Sequence, residues 1–276
     1  MATSAAIRSS SMFWAAGGWT FFIAENLILS ENRTYLIDQL GDSAYHAVYG
    51  ILSTIATGSI GYAYLYKIPK NAPPLLWNAA PLPARIAAWA FLSLGATMAS
   101  QALPKLQIPV AYVSSPPKEE NITTPSTVEP SSGQWKVQCP FDFTDSKAGR
   151  SQDEPHGLDR ISRHPGLWSM GFMCLGQASL LSSVPQKVWW SFPAIVALVG
   201  GAHSDSRYRR GLGGTLSPEY DAKTSNVPFI ALVKNGGWNE LASEVKPLNA
   251  LLATSVATAY VLRRGRVPSS VMSAIR

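Results

Sequence analysis

The stretch SRHPGLWSM, residues 162–170, sets an arginine and a histidine directly before a proline at the mouth of a long apolar run. Proline suits the first helical position because an N–H there has no partner within the helix, so a helix is predicted from Pro165. The apolar run continues to about Val184. A second, Val188–Ala202, follows after only Ser183-Val184-Pro185-Gln186-Lys187. So short a link between two long helices forces an antiparallel hairpin. The segment entering the first helix, LDRISRHP, and the segment leaving the second, GGAHSDSRYRRG, must then meet at one end. That end gathers Asp159, Arg160, Arg163, His164, His203, Asp205, Arg207, Arg209 and Arg210.

Four further apolar runs extend the pattern: Met12–Leu29, Tyr45–Tyr66, Arg85–Leu103 and Pro247–Leu262. Only 14% of the 276 residues are charged and 46% are hydrophobic, against about 25% charged in soluble domains. Several runs approach the ~20 residues that cross a hydrocarbon core. Trp14, Trp19, Tyr64, Tyr66, Trp77, Trp189, Trp190 and Tyr260 cluster at their ends, as interfacial aromatics do. The expected fold is an all-α polytopic transmembrane bundle of about six spans. A soluble all-α protein with buried helices is the alternative. The net charge of +6 sits in the loops, where it suits anchoring at a membrane surface. No basic stripe with interleaved aromatics points to nucleic acid. Membrane lipids and a hydrophobic small molecule are the expected partners.

Residues 1–11 read as a short polar N-terminus, Ser-rich and free of acids in the manner of an organelle transit peptide but too short for a complete one. Residues 12–103 then hold three spans. Residues 104–155 contain SSPPKEENITTPSTVEPSSG, too poor in apolar residues to order itself, and are expected as a flexible, disordered extramembrane loop. Residues 156–246 form the hairpin with its polar segments, and 247–276 the last span and a basic tail. Asn32-Arg-Thr and Asn121-Ile-Thr fit a glycosylation sequon, a tripeptide frequent by chance. Cys139 and Cys174 make neither a disulfide framework nor a thiolate metal site. Much of the Lys and Arg lies on the face carrying SRHP, which favours a cytosolic or stromal side for it.

Within the polar end, His164 titrates near neutral pH and is a candidate acid–base or ligand residue. Arg163 and Arg207 are candidate anion clamps, although basic residues also snorkel to an interface. His203 ends its helix, where a cation is favoured by the macrodipole, and Asp205 two residues on is expected to orient it. Glu25 lies inside the first apolar run, where an ionisable group needs a buried partner; Arg33 is one choice. Gln177 sits mid-span, where glutamine commonly hydrogen-bonds a neighbouring helix. The chain has no His-Glu-x-x-His, Gly-x-Ser-x-Gly, phosphate loop or dinucleotide fingerprint.

Three blocks together resemble the NnrU family of integral membrane proteins, which includes the plant zeta-carotene isomerases. They are ENRTYLIDQLGDSAYHAVYGILS (31–53), with its Leu40-Gly41 and Tyr45; GLDRISRHPGLWSMGFMCLGQ (157–177); and GAHSDSRYRRGLG (201–213) followed by PEYDAKTSNVPFIAL (218–232). The resemblance implies a multi-pass protein, in a plastid or another organelle membrane. In the isomerase branch it also implies a haem held by two histidines and a redox-gated cis-to-trans isomerisation of a carotenoid double bond. The positions of those histidines fall on Glu25 and Gln177, which are poor ligands for haem iron. Either His46, His164 or His203 replaces them, or no haem is bound; the second is the expectation taken here. Arg-His-Pro opening a span also resembles isoprenylcysteine and phospholipid methyltransferases, in which the segment faces the carboxylate of S-adenosylmethionine. Here, however, His203-Ser204-Asp205-Ser206 stands where that family has paired glutamates. A cofactor-free membrane scaffold is the third expectation.

Overall fold

The computed structural model describes residues 4–68, 75–77, 79–106, 110–113, 134–137, 141–142 and 154–264. The chain is mostly helical. The helices are α1 (Ser4–Glu31), α2 (Arg33–Leu40), α3 (Asp42–Tyr62), which runs on into a π-helical turn at Ala63–Lys67, α4 (Leu82–Gln101), α5 (Pro165–Leu180), α6 (Val184–Arg209), α7 (Pro218–Lys223), α8 (Ile230–Asn235), α9 (Trp238–Glu244) and α10 (Pro247–Arg264). Each of the six apolar runs is a helix. The six pack as a row in the order α3–α1–α6–α5–α4–α10, with α1 parallel to α6 and every other neighbouring pair antiparallel, so that successive long helices alternate in direction along the chain.

The hairpin forms as the short link requires. His164 stands at the N-cap position and Pro165 opens α5. Three residues separate α5 from α6, and the two helices pack closely. Glycine sets the spacing. A methyl group on Gly171 would lie 3.1 Å from the Ala194 Cα, and one on Gly95 of α4 only 2.6 Å from the Ser169 carbonyl oxygen. One on Gly176 would lie 2.9 Å from the Leu92 amide nitrogen. Small residues at helix crossings allow such approach, the usual device where lipid rather than water surrounds the helices. Met98, Trp168, Phe172 and Ala197 fill the space between α4, α5 and α6, and Leu232 and Leu241 close it from α8 and α9.

Two helices, Ser10–Glu31 and Leu82–Gln101, are long and apolar enough to cross a membrane. A third candidate is the pair α9 and α10, bent by 87° at Val245-Lys246. α5 has only 16 residues, and α6 carries Lys187 at one end and a charged segment at the other. Ile51 and Ile55 on α3, Ile86 on α4 and Leu251 and Val256 on α10 point outward and are more than half exposed. Such unpartnered apolar faces are compatible with membrane association.

Two boundaries shift. α1 begins at Ser4, inside the segment read as a polar N-terminus, because neither glycine nor proline interrupts residues 4–12. The 104–155 segment is paired at its ends rather than structureless throughout. β1 (Lys105–Leu106) pairs with β4 (Phe141–Asp142), and β2 (Val110–Val113) with β3 (Gln134–Val137), both antiparallel. Pairing satisfies backbone groups that an open loop leaves to water, and the Leu106 N–H donates to Asn249 Oδ1 of α10 at 2.9 Å. The Pro- and Ser-rich centre of the segment, Asn121 and Cys139 lie outside the described residues.

The glycine contacts yield a direct test. Gly95→Ala or Gly176→Ala is expected to destabilise the detergent-purified protein by about 1–3 kcal/mol through overpacking. Gly50→Ala, with open space around it, should be neutral or raise stability by up to about 1 kcal/mol. Thermal unfolding of the three variants checks this; unchanged midpoints for G95A and G176A would show that the crossing has slack.

Candidate functional site

The hairpin brings Arg163 and His164 to Asp205. Arg163 Nη2 donates to Asp205 Oδ2 at 2.9 Å and His164 Nε2 to Asp205 Oδ1 at 2.8 Å. Arg163 Nη1 donates to Asp221 Oδ1 at 2.5 Å and to Thr224 Oγ1 at 3.1 Å. Arg209 closes the chain, with Nε at 2.6 Å from Asp221 Oδ2. The result is an alternating line, His164–Asp205–Arg163–Asp221–Arg209, from α5 through α6 to α7. Burial alone pushes the Asp205 carboxyl up, but the bonds from His164 and Arg163 outweigh it and hold it below the usual carboxylate range. Asp221 is held down to about 2, by Arg209 first and then Arg163.

This geometry corrects two expectations. Asp205 orients His164, not His203, because residues two apart on a helix do not face each other. Arg163 is not an open anion clamp, since both Nη groups are taken up by two carboxylates and a hydroxyl, and only its buried Nε has no partner among the described residues. Its side chain is 8% exposed and that of Asp205 is 4% exposed. A third feature was not foreseen. The segment 224–229 folds back over the hairpin, with the Arg163 N–H donating to the Ser225 carbonyl and the Phe229 N–H to that of Ile161, both at 2.9 Å. Asn226 bonds Trp168 Nε1 and the Leu198 carbonyl, and its amide fits only because residue 201 is glycine. Phe229 takes a left-handed conformation, φ 66°, which is costly for a bulky residue and is held by this docking. The sequence holds only a partial signal: PEYDAKTSNVPFIAL sets Glu219 and Asp221 close behind the basic run at 207–210, which places acids near it without saying which arginine they meet. Arg160 is likewise bound, to Glu244 at 2.9 Å through both Nε and Nη2, beside His156.

The remaining site residues fall in two other places. His203 and Arg207 line an outer cavity of about 340 Å³ at the same end of the bundle, together with Ser30, Arg33, Tyr45, His46 and Tyr49. His203 Nε2 bonds Ser30 Oγ at 2.6 Å. Burial holds the His203 imidazole below its ordinary value, with Arg207 and Arg210 adding to the effect and Glu31 opposing it. Gln177 lies towards the far end of the hairpin, on a second cavity between the helices of about 440 Å³, the inner cavity, whose walls include Leu92, Met173, Cys174, Trp190 and Tyr260 and which opens outward along the exposed Val256. Its Oε1 accepts a short hydrogen bond from the Tyr260 hydroxyl, 2.5 Å, so it ties α5 to α10 as a mid-span glutamine often does.

Glu25 is buried on α1, with Asn26 Nδ2 donating to its Oε2 at 2.7 Å. Its Oε1 has no partner among the described residues, and no ion pair joins it to Arg33. Glu25 and Gln177 lie on helices that α6 separates, in different surroundings, and neither offers imidazole, thiolate or phenolate. The two do not fit a haem. Among the described residues, no three His, Cys, Asp or Glu side chains converge as a metal site.

Against protein-family models, curated proteins and solved structures, the chain shows no match.

Arg163→Ala is expected to cost about 3–5 kcal/mol of stability, because it strands Asp205 in a buried position; a protein of wild-type stability would contradict the closed network. The depressed Asp221 carboxyl contributes stability that is complete above the ordinary aspartate value near 4 and lost as pH falls through about 2. Protection of the 218–226 amides, taken relative to the intrinsic exchange rate at each pH, should therefore fall between pH 4 and pH 2, and Asp221→Asn should show that lower protection already at pH 5.

Proposed function

We propose that the chain is a six-span, multi-pass protein of the NnrU type, residing in an organelle membrane such as that of a plastid. In this reading it takes a lipid-soluble, carotenoid-like polyene into the inner cavity and carries out isomerase-like chemistry on it. The observation that carries the proposal is the inner cavity itself. It lies among helices α4, α5, α6 and α10 and the turn after α3, its wall is mainly apolar, and its polar groups are few: the Gln177 amide, the Tyr64 and Tyr260 hydroxyls, the Cys174 thiol and Arg264 at the rim. The Trp190 indole N–H on its wall has no partner among the described residues. Pockets of this size and polarity suit a small apolar ligand held by a few convergent groups.

Six passes are supported by the alternating direction of the six long helices in chain order and by the outward apolar faces of α3, α4 and α10. The far ends carry interfacial pairs, Lys67 over Trp14 and Lys187 over Trp77. The isomerase-like chemistry rests on the resemblance of the three sequence blocks. A cis-to-trans isomerisation adds and removes no atoms, so the protein's part is to admit both shapes of the polyene, exclude water and hold the rod in register. No step is assigned to a haem. The methyltransferase reading needs a free Arg163 fork for the cofactor carboxylate, and Asp205 and Asp221 occupy that fork.

Purified protein in phospholipid nanodiscs should quench its tryptophan fluorescence saturably on addition of a cis-polyene carotenoid, and the recovered pigment should be enriched in the trans isomer. Ala96→Phe, which fills the inner cavity, should abolish both. Binding without a change of isomer would favour a scaffold or carrier; no binding at all would remove the proposal. Spectra of oxidised and dithionite-reduced protein complete the test. A stoichiometric Soret band would direct attention to His46 and His203, the two imidazoles on the outer cavity.

A further inference from the structure

The outer cavity holds a charge with no ion-pair partner among the described residues; Glu31 acts on it only through space. Arg207 sits on the last turns of α6 and is 9% exposed. No carboxylate pairs with it among the described residues, and its Nη1 has no hydrogen-bond partner. Arginine remains protonated in proteins, so a buried guanidinium without a counter-charge is costly unless a ligand supplies one. One neighbour repeats the sign and none on the wall opposes it. Arg33 lies on the same cavity wall, and so do His46 and His203; the wall includes no aspartate or glutamate. Other acids nearby are engaged elsewhere. Glu31 forms a two-pronged pair with Arg210, and Asp42 lies 3.5 Å from His46 Nδ1, the same nitrogen that donates to the Asp42 carbonyl.

The donors also converge. Gly213, at φ 79°, folds the chain leaving α6 back so that its Cβ position lies 3.5 Å from Arg207 Nη2, in a loop fixed by the Leu212 N–H on the Arg207 carbonyl. A methyl group at 213 would touch the guanidinium at ordinary van der Waals distance, and it is the positive φ that favours glycine there. The phenols of Tyr45 and Tyr49 point away, donating to the Leu29 carbonyl and to Asn26, so they hold α1 against α3. What remains around the cavity of about 340 Å³ is two guanidinium groups and two imidazoles, with the hydroxyls of Ser30, Ser204 and Tyr208. A dianion with several acceptor oxygens meets two guanidinium forks best. Its position matches that of a lipid phosphate: α2, which carries Arg33, buries none of its residues and leaves Tyr35 and Leu40 largely exposed, like a helix lying at headgroup depth.

We infer that the outer cavity is a phosphate-binding site, with Arg207 as its buried anchor and Arg33 as its exposed second clamp. The phosphate belongs either to an anionic lipid headgroup or to a free phosphate. The site is separate from the inner cavity and does not depend on what that cavity binds.

The test uses the full chain exchanged into a neutral detergent, titrated calorimetrically with short-chain phosphatidic acid and, separately, with inorganic phosphate. Phosphatidic acid should bind saturably, with an affinity that falls as salt rises. Arg207→Gln should weaken it at least about tenfold, the worth of a charge-assisted bond to a buried guanidinium. Because Arg207→Gln removes a buried group, Arg33→Gln provides a variant at an exposed position; it should weaken binding severalfold with unfolding unchanged. If inorganic phosphate binds as tightly as the lipid and loses affinity in both variants, the site stands and its ligand is the soluble one. Equal affinity of the wild type and both variants for phosphatidic acid, or no saturable binding of either ligand by folded wild type, overturns the inference.

Discussion

The close approach of α5 to α4 on one side and to α6 on the other governs the rest of this structure. Gly95, Gly171 and Gly176 remove the side chains that would hold these backbones apart. The three helices then share Met98, Trp168, Phe172 and Ala197 as one core. Helix contacts in lipid gain little from water release and depend instead on dense packing, which close backbones provide. Because the crossing fixes α5 against α6 along their length, it decides what meets at each end. At one end Arg163 and His164 reach Asp205; towards the other, Gln177 and Trp190 face a common cavity.

The polar end shows how a bundle copes with charge beside apolar surroundings. Asp205 is nearly buried and accepts from both Arg163 and His164. Arg163 in turn reaches Asp221, and Asp221 reaches Arg209. Each member of the line has an opposite or donating neighbour, the condition under which buried ions are tolerated. The line is structural: it docks α7 and the 224–229 segment over the hairpin. Arg207, only two residues beyond Asp205 on the same helix and so turned to a different face, stands outside it. That contrast separates the part of the polar end that holds the fold from the part that faces an accessible cavity.

The same contrast explains which site residues could be read from the chain. The short link at Ser183–Lys187 made the hairpin a matter of length alone, so the meeting of SRHP with HSDSRYRR followed without further information. Which carboxylate served which base did not follow. Asp205 lies two residues from His203, yet helical geometry turns it toward His164, forty-one residues back. Asp221 and Thr224 were unreadable as partners of Arg163, because the fold-back of 224–229 is a tertiary contact with no local periodicity. The paired ends of the 104–155 segment escaped for a related reason: Val110–Val113 finds its partner more than twenty residues away, across a stretch whose composition argues for disorder.

The sequence by itself determined the helical class, the six apolar helices, the Pro165 start and the antiparallel hairpin, since apolar run length, proline stereochemistry and link length are local properties. Only the tertiary structure decided the order α3–α1–α6–α5–α4–α10, the closed ion line, the split of the candidate residues between two cavities and the unpaired state of Arg207. Those depend on which helices touch. That choice is made by glycine-level fit between surfaces far apart in the chain, and no window of sequence contains both surfaces.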